Sequence, residues 1–166
     1  MREMKTWVAV VATLAGLIVL PGFGSRRTST GTDANVEQNI AHHIAVLRSG
    51  TAQQKAASAY WLGQQHSSAA DAVNPLADLL ADKTEIDASR YRQAAKDSKP
   101  TLGEEAAAAL VQIGRSSIPP LIRILKTSPS PEARKNAAWA LGALHESSAG
   151  DGPPSALYQR FTSPRA

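Results

Sequence analysis

Four histidines, His42, His43, His66 and His145, and an acidic pair, Glu104 and Glu105, are the residues best suited by type to metal or acid–base chemistry. Their spacing argues against it. His42 and His43 are neighbours and on a helix point to different sides, whereas a chelating pair needs three or four positions between its members. His66 and His145 close two related segments, where an imidazole near the last carbonyls caps a helix. Glu104 and Glu105 stand at a helix start and serve its dipole rather than forming an acid–base pair. The sequence holds no Gly-rich phosphate loop, nucleophile elbow or zinc-protease spacing. The absence of cysteine removes thiolate metal sites, disulfides, cysteine nucleophiles and lipoprotein anchoring together. The expectation is a chain without catalytic residues, metal or cofactor.

A second constellation suits contact rather than catalysis. Residues 83–103 carry Arg90, Tyr91, Arg92, Lys96 and Lys99 against Glu85, Asp87 and Asp97. A basic excess around an aromatic anchor fits an acidic protein surface. The plainer reading of the same charges is a solvated turn and linker. Arg123 and Lys126 add outward cations on a later helix, while Asp78 and Asp82 stand on an earlier one. That alternation breaks the positive stripe nucleic acid needs, so no nucleic-acid partner is expected. Arg90, Tyr91, Arg92, Arg123 and Lys126 are the residues expected to meet a protein partner. Trp61 and Trp139, on Ala-rich segments, are expected to fill volume that small neighbours leave.

The elements positioning these residues follow from composition and pattern. A chain of 166 residues that is 43% hydrophobic but only 5% aromatic, and rich in alanine, fits one all-α domain with a core of small and aliphatic side chains. Its net charge of +4 names no class of partner. Residues 1–24 have the layout of a targeting leader, with Arg2 and Lys5 ahead of an uncharged run opened by Trp7 and closed by Leu20. Pro21 then breaks the helix, and Gly22 and Gly24 are small enough for peptidase cleavage before Ser25. The run is shorter than the roughly 20 residues a spanning helix needs. Export to a periplasmic or extracellular location is therefore expected. The alternative is a single-pass anchor in which residues 7–20 contact the membrane. Residues 25–35 read as a flexible tether, and 162–166 as a disordered tail.

Between tether and tail the chain repeats. Residues 55–66 align with 134–145 at an offset of 79, matching Ala59, Leu62, Gly63 and His66 with Ala138, Leu141, Gly142 and His145. Residues 104–114 join that frame 31 positions before the last copy, placing Leu110 on Leu141. The first two copies are each followed by a second apolar segment with proline near its start. Residues 72–80 overlay 117–125 at an offset of 45, with Pro75 on Pro120, Leu76 on Leu121 and Leu80 on Leu125. Capping chemistry opens the first helices: Thr51 with Gln54, Thr101 with Glu104, and Ser130 before Pro131. Val73, Leu76, Leu79 and Leu80, and likewise Ile118, Leu121, Ile124 and Leu125, keep the three-and-four spacing of one buried face. The unit is a helical hairpin, with Leu62, Leu110 and Leu141 predicted to fill the seam.

This order of Ala-rich helix, Leu-Gly, turn, Ile-Pro-Pro-Leu, aliphatic helix and Ser-Pro-Glu-Ala-Arg resembles the HEAT-like repeat, in the short form named for phycobilisome lyases. The resemblance covers residues 36–161 and is clearest over 103–144. It implies a short right-handed α-solenoid of about three hairpins, with an inter-repeat insertion at 83–103, acting as a protein–protein interaction scaffold. A lyase-like or enzyme-associated subunit holding a small ligand between repeats is the alternative it permits. The chain departs from the pattern where Gly103 takes the basic position of Lys55 and Arg134, and Thr127 the acidic position of Asp82. An acid-to-base ladder between repeats is therefore interrupted. Residues 36–48, with Val36, Ile40, Ile44 and Leu47 on one face, read as a half repeat capping the start. Residues 153–161, with Leu157, Tyr158 and Phe161, read as a shortened final second helix. About three repeats is the minimum for a stacked array, so self-association or docking through the carboxy-terminal end is expected.

Overall fold

The computed structural model describes residues 31–95 and 98–148. The leader at 1–24, the first part of the tether, residues 153–161 and the tail at 162–166 lie outside the described residues. Among the described residues there are six α-helices: α1 Gly31–Ser49, α2 Ala52–Gln64, α3 Val73–Asp78, α4 Leu102–Ile113, α5 Ile118–Thr127 and α6 Pro131–Ser148. Short 3-10 turns occupy His66–Ala72, Ala88–Arg90 and Arg115–Ser117. Extended pairing among these residues is confined to one isolated bridge between Glu85 and Thr101.

The helices form two rows. Helices α2, α4 and α6 pack side by side in one, and α1, α3 and α5 neighbour one another in the other. Across the rows α1 lies on α2, α3 on α4 and α5 on α6. Helix α1 thus holds the place of a second helix, and among the described residues no first helix precedes it. It begins at Gly31, five positions before the predicted start, so the end of the expected tether is helical. A helix extends outward from a docked segment at little cost once its nucleus exists.

Local chemistry explains the starts. The Thr51 and Thr101 side chains accept the backbone N–H of Gln54 and Glu104, whose own side chains accept the cap N–H in return. The Ser130 hydroxyl accepts the Ala133 N–H at 3.2 Å. The ends use two solutions. After α4 the chain turns through Gly114 at φ +94, whereas after α2 the left-handed position is held by His66 at φ 51. A hydrogen bond between His66 Nδ1 and the Gln112 carbonyl, 3.1 Å, ties that strained turn to the next repeat.

The main core is one cluster running through both rows. Leu62, Leu76, Leu80, Leu110 and Leu121 are fully buried, and Leu141 packs against the same cluster while half-buried. Alanine lets the first-row helices approach closely: a side chain at Gly63 would meet the Ala109 backbone at 3.1 Å. Ten of the twelve residues of α4 are buried, which makes it the centre of the stack. Trp61 and Trp139 are half-buried against the cluster, as volume fillers should be. Leu125 departs from the expected buried face and is exposed.

Candidate functional site

The excursion between α3 and α4 is a folded loop with a closed neck. The Leu102 N–H donates to the Thr84 carbonyl at 2.9 Å, and the Ile86 N–H to the Pro100 carbonyl at 3.0 Å. Ile86 and Leu102 are buried with Ala56 in a second, smaller core against α2. From the other side Gln53 grips the loop backbone in both senses, donating Nε2 to the Asp87 carbonyl at 2.7 Å and accepting the Asp87 N–H at 3.0 Å. Asp87 in turn caps the short turn by accepting from the Ser89 hydroxyl at 2.6 Å. That bond is the main cause holding the Asp87 carboxyl below the usual carboxylate range.

This architecture divides the predicted contact residues. Arg90 is exposed and, among the described residues, pairs at 3.5 Å with the exposed carboxylate of Asp87. Arg92 turns inward, its Nη2 lying 3.1 Å from Oε2 of Glu105, with 6% and 1% of the two side chains exposed. Its charge is consequently matched inside the protein and is not offered to a partner. Tyr91 is half-buried, its ring 5.7 Å from that of Tyr60. Its hydroxyl is enclosed and makes no well-formed hydrogen bond. Burial first, and then the negative charge of Glu105, push its ionisation well above the usual tyrosine range. Arg123 and Lys126 are exposed on α5, as is Asp78 on α3. Glu105, read from sequence as a dipole partner, is the buried anchor of Arg92. Glu104 alone does helix-start work, with Lys135 of α6 at 3.7 Å.

Where the repeats depart from one another, backbone contacts stand in. Arg134 donates to the Ser128 and Pro129 carbonyls at 2.7 and 3.2 Å, tying α6 to the loop before it. At the equivalent Gly103 the backbone N–H donates to the Asp82 carbonyl at 2.9 Å. A Cβ there would lie 2.7 Å from the Leu80 carbonyl oxygen and 2.9 Å from Asn136 Nδ2. Asn136, buried, donates Nδ2 to that same Leu80 oxygen at 2.9 Å. No side chain fits, so the basic position is closed by close approach.

The histidines are not gathered. Among the described residues no group of three metal-ligating side chains converges. His43 stacks on Trp61, ring centroids 4.2 Å apart, and its Nδ1 pairs with the buried Ser58 hydroxyl at 3.0 Å, fastening α1 to α2. Burial, with some repulsion from His42, holds His43 below the usual histidine value. Sequence reasoning had no signal for this contact beyond an imidazole on a helix face. His145 lies in the last turn of α6, which runs on to Ser148.

Residues 88–159 match the family model for HEAT repeats. No curated protein and no solved structure matches the chain. The match covers the later repeats, and the two rows of helices with their recurring caps carry a similar helical-hairpin pattern across the described residues.

Proposed function

We propose that this protein is an exported or membrane-tethered adaptor, a right-handed α-solenoid without catalytic activity of its own, that binds another protein. The binding surface runs over the outward residues of the second helices and the excursion. The observation that carries this reading is the anchoring of residues 84–102 at their neck and by Gln53 of α2, which presents Arg90 in one fixed place. A preordered loop loses little freedom on binding, so its contacts count more fully toward affinity. Arg123 and Lys126 supply further cations on α5. They favour an acidic partner surface.

The test is charge reversal at the exposed cations alone. Arg90→Glu, Arg123→Glu and Lys126→Glu together should abolish recovery of a recurrent companion protein under gentle extraction while leaving the thermal midpoint unchanged. Arg92 is excluded because reversing it would place two negative charges inside the protein. Unaltered companions after triple reversal would refute the adaptor reading. Altered retention of a small ligand with unaltered companions would favour the enzyme-associated alternative. Mass spectrometry of the mature amino terminus tests export, with a start at Ser25 as the expected result.

A further inference from the structure

Equivalent positions on two neighbouring second-row helices carry opposite charge. Helix α3 presents Asp78, with Asp82 half-buried just past its end, and no cation stands between Val73 and Asp82. Helix α5 presents Arg123 and Lys126, and no acid stands between Ile118 and Thr127. Asp78 and Arg123 hold the same place in the repeat, 45 residues apart, and α3 packs against α5, so the two charges look out from one side of the second row. Axes about 8–10 Å apart keep them beyond reach of each other. Among the described residues no ion pair takes up Asp78, Arg123 or Lys126. Lys83, the next cation along the chain, acts instead on Glu132 at the start of α6, whose carboxyl it helps to hold below the usual range. Bulk is divided in the same way. On α5 the large side chains of Ile122 and Leu125 are 39% and 38% exposed, whereas α3 and its end expose Asn74, Asp78 and Ala81, and the counterpart of Ile122 is the small, buried Ala77.

We infer that this side of the second row is a two-fold interface with a second copy of the chain, in which α5 of each copy lies on α3 of the other. A two-fold contact uses one patch on both partners, so the patch must complement itself. Adjacent acidic and basic helices meet that condition. Half a turn about an axis between α3 and α5 brings Arg123 and Lys126 over the other copy's Asp78 and Asp82, and the same rotation brings Asp78 and Asp82 under the other copy's cations. Ile122 and Leu125 then settle on the low surface around Ala81, away from water. A broad acidic surface fits less well, because in meeting α5 it brings like charge toward α3. The inference takes from the adaptor reading that Arg123 and Lys126 meet acidic protein, and it names that protein as α3 of a second copy, leaving Arg90 for the companion. Two short helices cover less than the roughly 800 Å² per partner of a standard interface, so the dimer is weak and depends on concentration.

The experiment follows the purified full chain by sedimentation from micromolar to millimolar concentration. The parent should pass from monomer to dimer, and added salt should shift the transition to higher concentration. An acidic variant, Arg123→Glu/Lys126→Glu, and a basic variant, Asp78→Lys, should each weaken self-association at least about tenfold with unchanged thermal midpoints. Asp82 is left in place, since its carboxylate accepts the Thr84 N–H at 2.9 Å. Mixed together, the two variants should bind each other more tightly than either binds itself, because every acidic strip then faces a basic one. Ile122→Ser should weaken the parent dimer without unfolding the chain. A parent that stays monomeric throughout overturns the inference, as do mixed variants that ignore each other. A dimer that survives both reversals also overturns it, by placing the contact elsewhere, such as the carboxy-terminal end of the stack. Purified protein holds no companion, so failure here leaves companion recovery, tested with Arg90→Glu alone, to decide the adaptor reading.

Discussion

The Arg92 guanidinium and the Glu105 carboxylate, 13 residues apart, meet at 3.1 Å inside the protein and bind the excursion to α4. A buried pair is weak as a source of stability but severe when halved, because the survivor keeps an unmatched charge out of water. Arg92→Met should therefore lower stability by about 3–5 kcal/mol in urea denaturation. The double variant Arg92→Met/Glu105→Leu should recover to within about 1 kcal/mol of the parent, since two apolar side chains remove both buried charges. Equal losses in single and double variants would mean that the ion pair itself holds the loop.

Two glycines at helical positions should respond oppositely to one added methyl group. At Gly103 a Cβ is forced to within 2.7 Å of the Leu80 carbonyl oxygen, whereas at Gly142 it meets nothing within 4 Å. Gly103→Ala should cost about 1–3 kcal/mol through overpacking against backbone. Gly142→Ala should add about 0.5–1 kcal/mol by lowering the freedom of the unfolded chain in a helix interior. Thermal unfolding of the two variants beside the parent decides the matter, and a stabilised Gly103→Ala would contradict the close approach of α4 to the end of α3.

Acidification should loosen the junction of α1 and α2. Burial keeps His43 neutral in the folded protein to a lower pH than in the unfolded chain, where it takes its proton near the ordinary value of 6.5. The stability held by neutral His43 is complete above that value and is lost as pH falls through it toward the depressed folded value. Asp87 and Glu132, both held below their ordinary values, act only at lower pH. A fall in thermal midpoint between about pH 7.5 and about pH 5 should therefore shrink in His43→Phe, which keeps a ring against Trp61 but cannot titrate. An undiminished fall in that variant would assign the effect elsewhere.

The repeats were legible because they are written in local grammar. Thr51 with Gln54 and Thr101 with Glu104 announce helix starts within four residues, and the Leu62 and Leu110 equivalence follows from periodicity. Residues whose roles depend on distant partners carry no such signal. Arg92 looks like any surface arginine until Glu105 is beside it, and Tyr91 like an exposed anchor until its hydroxyl is enclosed. His66 sits just beyond the C-cap of α2, and its left-handed backbone, where Gly114 serves the next repeat, follows from no motif. Leu125 keeps the apolar spacing of Leu80 and still faces solvent, because periodicity reports which side of a helix is oily and not whether a neighbour arrives to cover it.

The central place of α4 also sets how the protein comes apart. Long solenoids can shed units from one end while the rest endures, since each touches only its neighbours. Here α2, α3 and α6 all rest on the same short rod, and the Arg92 pair joins the excursion to it as well. No end can peel away far before α4 is stripped of support. The described repeats should thus melt in a single step, and a lesion at a contact with α4 should be felt by all of them rather than by one repeat.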